Sequence, residues 1–362
     1  MKTLILAGGF GTRLRPLSCT RPKTLFPIVN KPLLQWTFEG LAKNNIAEVI
    51  LAVSHQTEVL IKQARIPKRG LRVTYSRDPL KKPLGTGGPI KKAEKLIGHN
   101  SPFLVLNGDI FADVNYKEIL KIHEENNAVA TIALHSVKDP SRYGVAEITK
   151  KNRIKRFVEK PPRGTAPTSL INAGVYVLSP KIFKYIPKDR AISFEREVFP
   201  KLAKESGLYG YVFDSLWIDI GEPEDYLTIN KNLLDSLAKP QKYNFENKVR
   251  VKEPVAFDKE AFIGEDSVIG PHAVLGRNVT VGNSVQIKDS VIFPKTVISD
   301  FASINGAIIG EGAIIGKRVK IGRECILGDY VKIKDNTSLA SGVIICPSKE
   351  ISESVLAPKC IL

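Results

Sequence analysis

Sulfur is scarce in this chain: one methionine and four cysteines in 362 residues. Cys19, Cys325, Cys346 and Cys360 form no C-x-x-C pair and no metal-ligand spacing, so they read as structural thiols. No apolar run approaches the roughly 18 residues of a membrane-spanning helix, so no membrane partner is expected. Met1 leads straight into an apolar strand pattern without a leader, and the expected location is the cytoplasm. Aromatics make up only 7% of the chain and do not interleave with the basic residues, and there is no Arg-rich tract. The net charge of +17 is therefore not read as a nucleic-acid footprint. It suits a basic surface whose field attracts anionic substrates. Two phosphate signatures are missing as well. There is no G-x-x-x-x-G-K-[ST] loop and no G-x-G-x-x-G turn.

In their place the chain opens with Lys2-Thr-Leu-Ile-Leu-Ala7, a short buried strand, running into Gly8-Gly9-Phe10-Gly11-Thr12-Arg13-Leu14. Glycines let backbone N–H groups approach an anion closely, and Arg13 and Lys23 add fixed positive charge. From residue 1 to about 236, apolar strands alternate with amphipathic helical patterns, which implies βαβ units and a mixed, mainly parallel, Rossmann-like sheet. Asn30 and Pro32 before Leu33, Leu34, Phe38 and Leu41 mark a helix start with a periodic apolar face. Ligands of such sheets bind at the carboxyl ends of the strands. Asn107-Gly108-Asp109 lies at such an end, as does the glycine turn.

Periodicity fades across 237–252, the expected linker. Residues 253–362 then follow another rule. Ile263-Gly, Ile269-Gly, Leu275-Gly and Val281-Gly recur every six residues, and Ile309-Gly, Ile315-Gly, Ile321-Gly and Leu327-Gly resume the pattern. This is the hexapeptide signal of a left-handed β-helix, each aliphatic pointing into one continuous core. The register slips across 288–308, where a loop or irregular coil is expected. The domain's single histidine, His272, has no acidic neighbour in sequence and reads as a solvated surface residue. The β-helix is therefore expected to join subunits into a homo-oligomer and to perform no acyl transfer.

Two carboxylates stand out. Asp109 ends a strand after a glycine, and Asp219 sits between aliphatics in Trp217-Ile-Asp-Ile-Gly221. A carboxylate in such a setting is costly to bury unpaired, and a metal would resolve that cost. Pro83-Leu-Gly-Thr-Gly-Gly-Pro89 is a second glycine-rich turn opening a helix. Phe157-Val-Glu-Lys-Pro161 delivers Glu159 and Lys160 side by side, although strand neighbours face opposite ways. Both reach one ligand only if the strand ends or bulges there.

Leu6-Ala-Gly-Gly-Phe-Gly-Thr-Arg-Leu-Arg-Pro-Leu17 with Arg21-Pro-Lys23 closely resembles the signature of the sugar-phosphate nucleotidyltransferases. The resemblance implies that Leu6, Ala7, Gly8, Gly9, Gly11, Thr12 and Arg13 hold a nucleoside triphosphate, with Gly85 against the base. It implies that Arg13 and Lys23 contact phosphates and that Asp109 and Asp219 bind Mg²⁺. Gly144, Glu159, Lys160 and Asn172 would hold the sugar phosphate. Ser141-Arg-Tyr-Gly144, Ile171-Asn-Ala-Gly-Val-Tyr176 and Ser193-Phe-Glu-Arg-Glu-Val-Phe-Pro200 look most similar to the mannose-1-phosphate guanylyltransferase branch. That branch implies GMP transfer from GTP to mannose 1-phosphate. A glucose-1-phosphate thymidylyl- or uridylyltransferase, or a non-catalytic regulatory subunit of the same fold, stays open. Asp78-Pro-Leu-Lys-Lys-Pro83 departs from the family's usual acidic approach, so no base-reading side chain is assigned.

Overall fold

The computed structural model describes residues 1–9, 11–79, 84–188, 190–237 and 248–362. Phe10, Pro83 and most of the expected linker lie outside the described residues. The chain forms two compact units that do not follow chain order. Met1–Gly9 and Leu33–Asp219 form one, and Phe10–Pro32 and Ile220–Leu362 form the other. No helix among the described residues is long and apolar enough to cross a membrane.

The first unit is a nine-stranded mixed sheet. Its strands are β1 (Lys2–Leu6), β2 (Glu48–Val53), β3 (Arg72–Arg77) and β4 (Phe103–Asn107), then β6 (Ala130–Ser136), β7 (Gly144–Ile148), β8 (Ile154–Glu159), β9 (Leu170–Leu178) and β10 (Leu208–Val212). The short strands β5 (Ile110–Ala112) and β11 (Trp217–Asp219) form a separate antiparallel ribbon. The order is β8-β7-β9-β4-β1-β2-β3, with β6 on β9 and β10 on β6. Strands β3, β2, β1 and β4 are parallel, and β9 runs antiparallel to β4. The order reverses at β1 and β4, and at such a switch the strand ends open a crevice. The first helix, α1 (Leu33–Lys43), buries Leu33, Leu34, Phe38 and Leu41, the face expected from the sequence. The next, α2 (His55–Gln63), starts where the Ser54 side chain accepts from Thr57 N–H, satisfying one orphan donor of the first turn.

In the second unit, three parallel sheets of six, seven and six strands wrap one core. Ile263, Ile269, Leu275, Val281 and Ile287 head a column of inward aliphatics, all nearly sealed from solvent. Each contributes about 1.5–3 kcal/mol by burial. The stack fits the left-handed hexapeptide β-helix. Most repeat glycines keep ordinary φ and serve close approach instead: a Cβ on Gly310 would lie 2.5 Å from the Gly328 carbonyl carbon of the next coil. The left-handed conformation falls two residues later, at Asp266, Asn278, Ser284 and Tyr330, for example.

Of the loop or irregular coil expected across 288–308, the structure shows the irregular coil. Gln286–Lys288, Val291–Ile292, Val297–Ile298 and Ser303–Asn305 continue the stack. The inward positions run Ile287, Ile292, Ile298, Ile304 and Ile309, so the corners before Ile292 and Ile309 are each one residue shorter. Shortened in the same coil and the next, the corners stack on one another, and Gly306 N–H donates to Lys288 C=O.

His272 also departs from its expected place. Its side chain is only 16% exposed, with Nε2 2.8 Å from Asp235 Oδ1 and Nδ1 3.6 Å from Asp289 Oδ1. Asp235 belongs to α4 (Pro223–Leu237), whereas α3 (Tyr116–Glu125) belongs to the sheet unit. These partners are distant in sequence, so a search for adjacent carboxylates misses them.

Candidate active site

At the switch point, Leu6 pairs with Asn107, and Gly108 N–H donates to Leu6 C=O. The Leu6–Gly9 segment and Asn107-Gly108-Asp109 thus leave the sheet side by side. Asp109 then enters the ribbon, in which Asp219 pairs with Ile110 and Trp217 with Ala112. That register brings both aspartates to the same end of the ribbon. Trp217 is anchored by an Nε1–H bond to Ala173 C=O and an edge contact with Tyr143. Among the described residues no group of three or more His, Cys, Asp or Glu is gathered. Carboxylate oxygens completed by phosphate oxygens are the donors Mg²⁺ favours, so the chemistry of Asp109 and Asp219 fits that ion.

A third carboxylate, unassigned from sequence, directly follows β3. Asp78 Oδ2 lies 3.2 Å from where a Cβ of Gly8 would stand. Its Oδ1 is buried without a hydrogen-bond partner among the described residues. Burial pushes the carboxyl up to about 6, only partly opposed by Lys92. Its position at a strand end, like that of Asp109, was the available signal.

Gly85 adopts φ +68°, and a Cβ there would fall 2.3 Å from Ile192 C=O. Packing against Ile192 thus already requires glycine. The turn is pinned by Gly87 N–H to Ile192 C=O and by Thr86 Oγ1 donating to Glu195.

Glu159 and Lys160 meet the condition set by their spacing. The strand β8 ends at Glu159, opposite Gly144. Lys160 turns into the left-handed region at φ +47°, its N–H held by Tyr143 C=O. A Cβ on Gly144 would meet Glu159 Oε2 at 2.8 Å. That oxygen is buried and accepts no hydrogen bond among the described residues. Burial and then the nearby Glu195 charge raise its carboxyl, against Lys160 and Arg196. A buried acceptor of this kind suits hydroxyl donors. Asn172, at a bulge in β9, accepts from Gly174 N–H and donates to Tyr176 Oη.

The remaining candidates belong to the second unit. Gly11 takes φ +59° and caps the short turn Thr12–Leu14. Its carbonyl accepts from Ser18 Oγ at 2.7 Å. The Lys23 side chain runs across it, with Cγ 2.9 Å from the missing Cβ, so this glycine also makes room for the lysine. Lys23 is 8% exposed. Arg13 lies 3.8 Å from Glu222, both well exposed, so the pair does not hold the arginine tightly.

A mixed Rossmann-like sheet with a glycine turn at its switch point and strand-end carboxylates defines a nucleotidyltransferase, and the chain belongs to that family. The "Nucleotidyl transferase" profile matches residues 2–236, and "GMPPB C-terminal domain" matches residues 251–361. Among its relatives, the mannose-1-phosphate guanylyltransferase catalytic subunit beta of Danio rerio is 43% identical over 230 residues, 63% of each chain. Mannose-1-phosphate guanylyltransferase 1 of Arabidopsis thaliana is 39% identical over 268 residues, 73% of each chain. The match thus spans 63% of the length of the Danio relative and 73% of the Arabidopsis one. The crystal structure of HddC from Yersinia pseudotuberculosis complexed with GMP-PN aligns with TM-score 0.54 and 33% identity, over 64% of this chain and 99% of that one.

Proposed function

We propose that the protein is a mannose-1-phosphate guanylyltransferase. A phosphate oxygen of mannose 1-phosphate bonds to the α-phosphorus of GTP, the bond from that phosphorus to the bridging oxygen breaks, and pyrophosphate leaves. The observation that carries this reading is the pair of aspartates at one end of the β5–β11 ribbon, beside the Leu6–Gly9 turn. The guanine and mannose preferences rest on the relatives and on the whole-chain motifs.

Several negative charges crowd such a reaction, so positioning and fixed cations do most of the chemistry. Arg13 holds the β- and γ-phosphates, and Lys23 stabilises charge at the α-phosphate. Leu6, Ala7, Gly8, Gly9, Gly11 and Thr12 line the nucleotide, with Gly85 at the base. Lys160 positions the attacking phosphate, while Glu159, Asn172 and Gly144 hold the sugar. Asp109 and Asp219 would hold Mg²⁺, which supplies neutralisation of the transferring phosphates.

The β-helix is proposed to assemble copies of the chain. Val297 and Ile314 are exposed neighbours on one of its sheets, with Phe262 exposed two strands before Val297 across Thr280, which supports that role. The cytoplasm, which supplies GTP, is the proposed location.

The test is a panel of nucleoside triphosphates against sugar 1-phosphates, scored by pyrophosphate release. GTP with mannose 1-phosphate should give the highest kcat/KM. A preference for dTTP or UTP with glucose 1-phosphate would replace this reading with its runner-up.

A further inference from the structure

The corners of the β-helix share a small motif. A side-chain oxygen from one coil accepts the backbone N–H of the coil before it: Asn283 from Glu265, Asp300 from Asn283, Asp329 from Glu311 and Asp335 from Lys317. Asp329 differs from the others. Its Oδ1 makes the corner bond, at 2.8 Å. Its Oδ2 accepts from Thr20 Oγ1 at 2.6 Å and from Arg21 Nη2 at 2.7 Å. Glu311, on the neighbouring coil, takes the same Arg21 nitrogen at 2.9 Å. One coil further, Phe293 lies under the guanidinium, 4.9 Å from ring centroid to Cζ.

Three stacked corners thus form a socket for one arginine, with an aromatic floor and two carboxylates. Arg21 is 16% exposed in it, and the Asp329 side chain 3%. Lys295, itself largely exposed, lies 2.8 Å from Glu311 and brings the cluster to two cations against two anions. Phe293 also packs edge-on to Phe26 and Tyr226, and Asn30 Nδ2 donates to Leu275 C=O of an earlier coil. Residues 20–30 are therefore seated along one edge of the β-helix. Lys23, two residues after Arg21, opens the turn Lys23–Leu25 and lies across Gly11.

We propose that Asp329 and Glu311 are positioning residues for nucleotidyl transfer. By fixing Thr20 and Arg21 they set where Lys23 and the Gly11–Arg13 turn stand, so the β-helix is a working part of the phosphate-handling segment. This rests on the role of Lys23 in the proposed function. Misplacing such a cation by about 1 Å can cost up to about 100-fold in rate.

The test uses the full chain with Asp329→Asn. This change keeps an oxygen for the corner bond but removes the charge facing Arg21. Asp335→Asn is the control, because Asp335 makes the same corner bond to Lys317 N–H. The measurements are kcat, both KM values, melting temperature and amide exchange across residues 11–25. In Asp329→Asn, kcat should fall about tenfold or more, KM for mannose 1-phosphate should stay within twofold, and exchange at 11–25 should quicken. Asp335→Asn should leave kcat, both KM values and exchange at 11–25 unchanged, and should lower the melting temperature less, because Asp335 holds no arginine. Glu311→Gln, which removes one of two contacts, should give a smaller loss of the same kind and serves if Asp329→Asn fails to fold. Equal kcat in Asp329→Asn and Asp335→Asn, or unchanged exchange at 11–25, would overturn the proposal. If the wild type transfers no nucleotide yet Asp329→Asn still loosens 11–25, the functional reading fails and the positioning stands.

Discussion

Both units are built on parallel strands, but they use them in opposite ways. In the sheet unit, helices and long connections separate the parallel strands, and every strand end carries a different loop. In the β-helix, each coil lies directly on the last and repeats the same inward aliphatic and the same corner. The first arrangement concentrates chemistry in segments that share no pattern. The second puts nearly all of its information into a core that neighbouring coils hold in common, so its stability is nearly a sum over neighbouring coils. A conspicuous exception is a corner whose carboxylate turned outward to take an arginine. The comparison predicts that substitutions in the sheet unit's loops abolish turnover at little cost to the fold. Substitutions inside the β-helix should do the reverse.

The sharpest break between the two would come from the ribbon aspartates. Asp109→Asn or Asp219→Asn should lower turnover by about 10³-fold or more, with circular dichroism and melting temperature close to wild type. Near wild-type activity at ordinary Mg²⁺ would remove the metal assignment. Next in size is Lys23→Ala, expected to lower kcat by about 10²–10³, the range seen when one preorganised charge-stabilising group is lost. Lys160→Ala should instead raise KM for mannose 1-phosphate about tenfold, because that charge is already present in the ground state. An effect on the triphosphate alone would reverse the two roles.

Within the β-helix, neighbouring residues should differ as much as the units do. Ile315 is fully buried and Ile314 is 43% exposed. Ile315→Ala should cost about 2–5 kcal/mol in denaturant unfolding, and Ile314→Ala no more than about 0.5. Similar costs for both would mean that Ile314, too, is covered.

A pH-dependent effect is expected at Asp78, whose carboxyl rises from 3.8 to about 6 on folding. The folded state therefore binds this proton more tightly. The stabilisation is complete below about pH 3.8 and is lost as pH rises through 6. Asp78→Asn should melt higher than wild type at pH 7–8, and the gap should close as pH falls toward 4. A gap that is constant with pH would mean that burial does not set this group's titration.

Periodic features were legible in the sequence, because period alone determines which side is inside. The face of α1 and the inward column of the β-helix were both readable, and so were the strand-end carboxylates Asp109 and Asp219. Contacts between distant residues were not. His272 looked solvated because Asp235 and Asp289 reach it only through folding. The slip after Ile287 left a loop and an irregular coil both open, because a shortened corner and a broken coil leave the same gap in a six-residue count. Lys160 lay in between. Its spacing stated the condition, a strand end, and its positive φ met that condition. Arg21 was visible as part of a signature, but nothing near it in sequence pointed to Asp329.

The account assigns the nucleotide and the sugar phosphate to different segments of the chain. Amide exchange of the full-length protein, with GTP alone and with mannose 1-phosphate alone, tests that division in one measurement. GTP should slow exchange across Leu6–Arg13, in the turn at Gly85 and in the Lys23 turn. Mannose 1-phosphate should slow it at Gly144, at Glu159 and Lys160, and around Asn172. Protection of one common set of segments by both ligands, or the two sets interchanged, would contradict it.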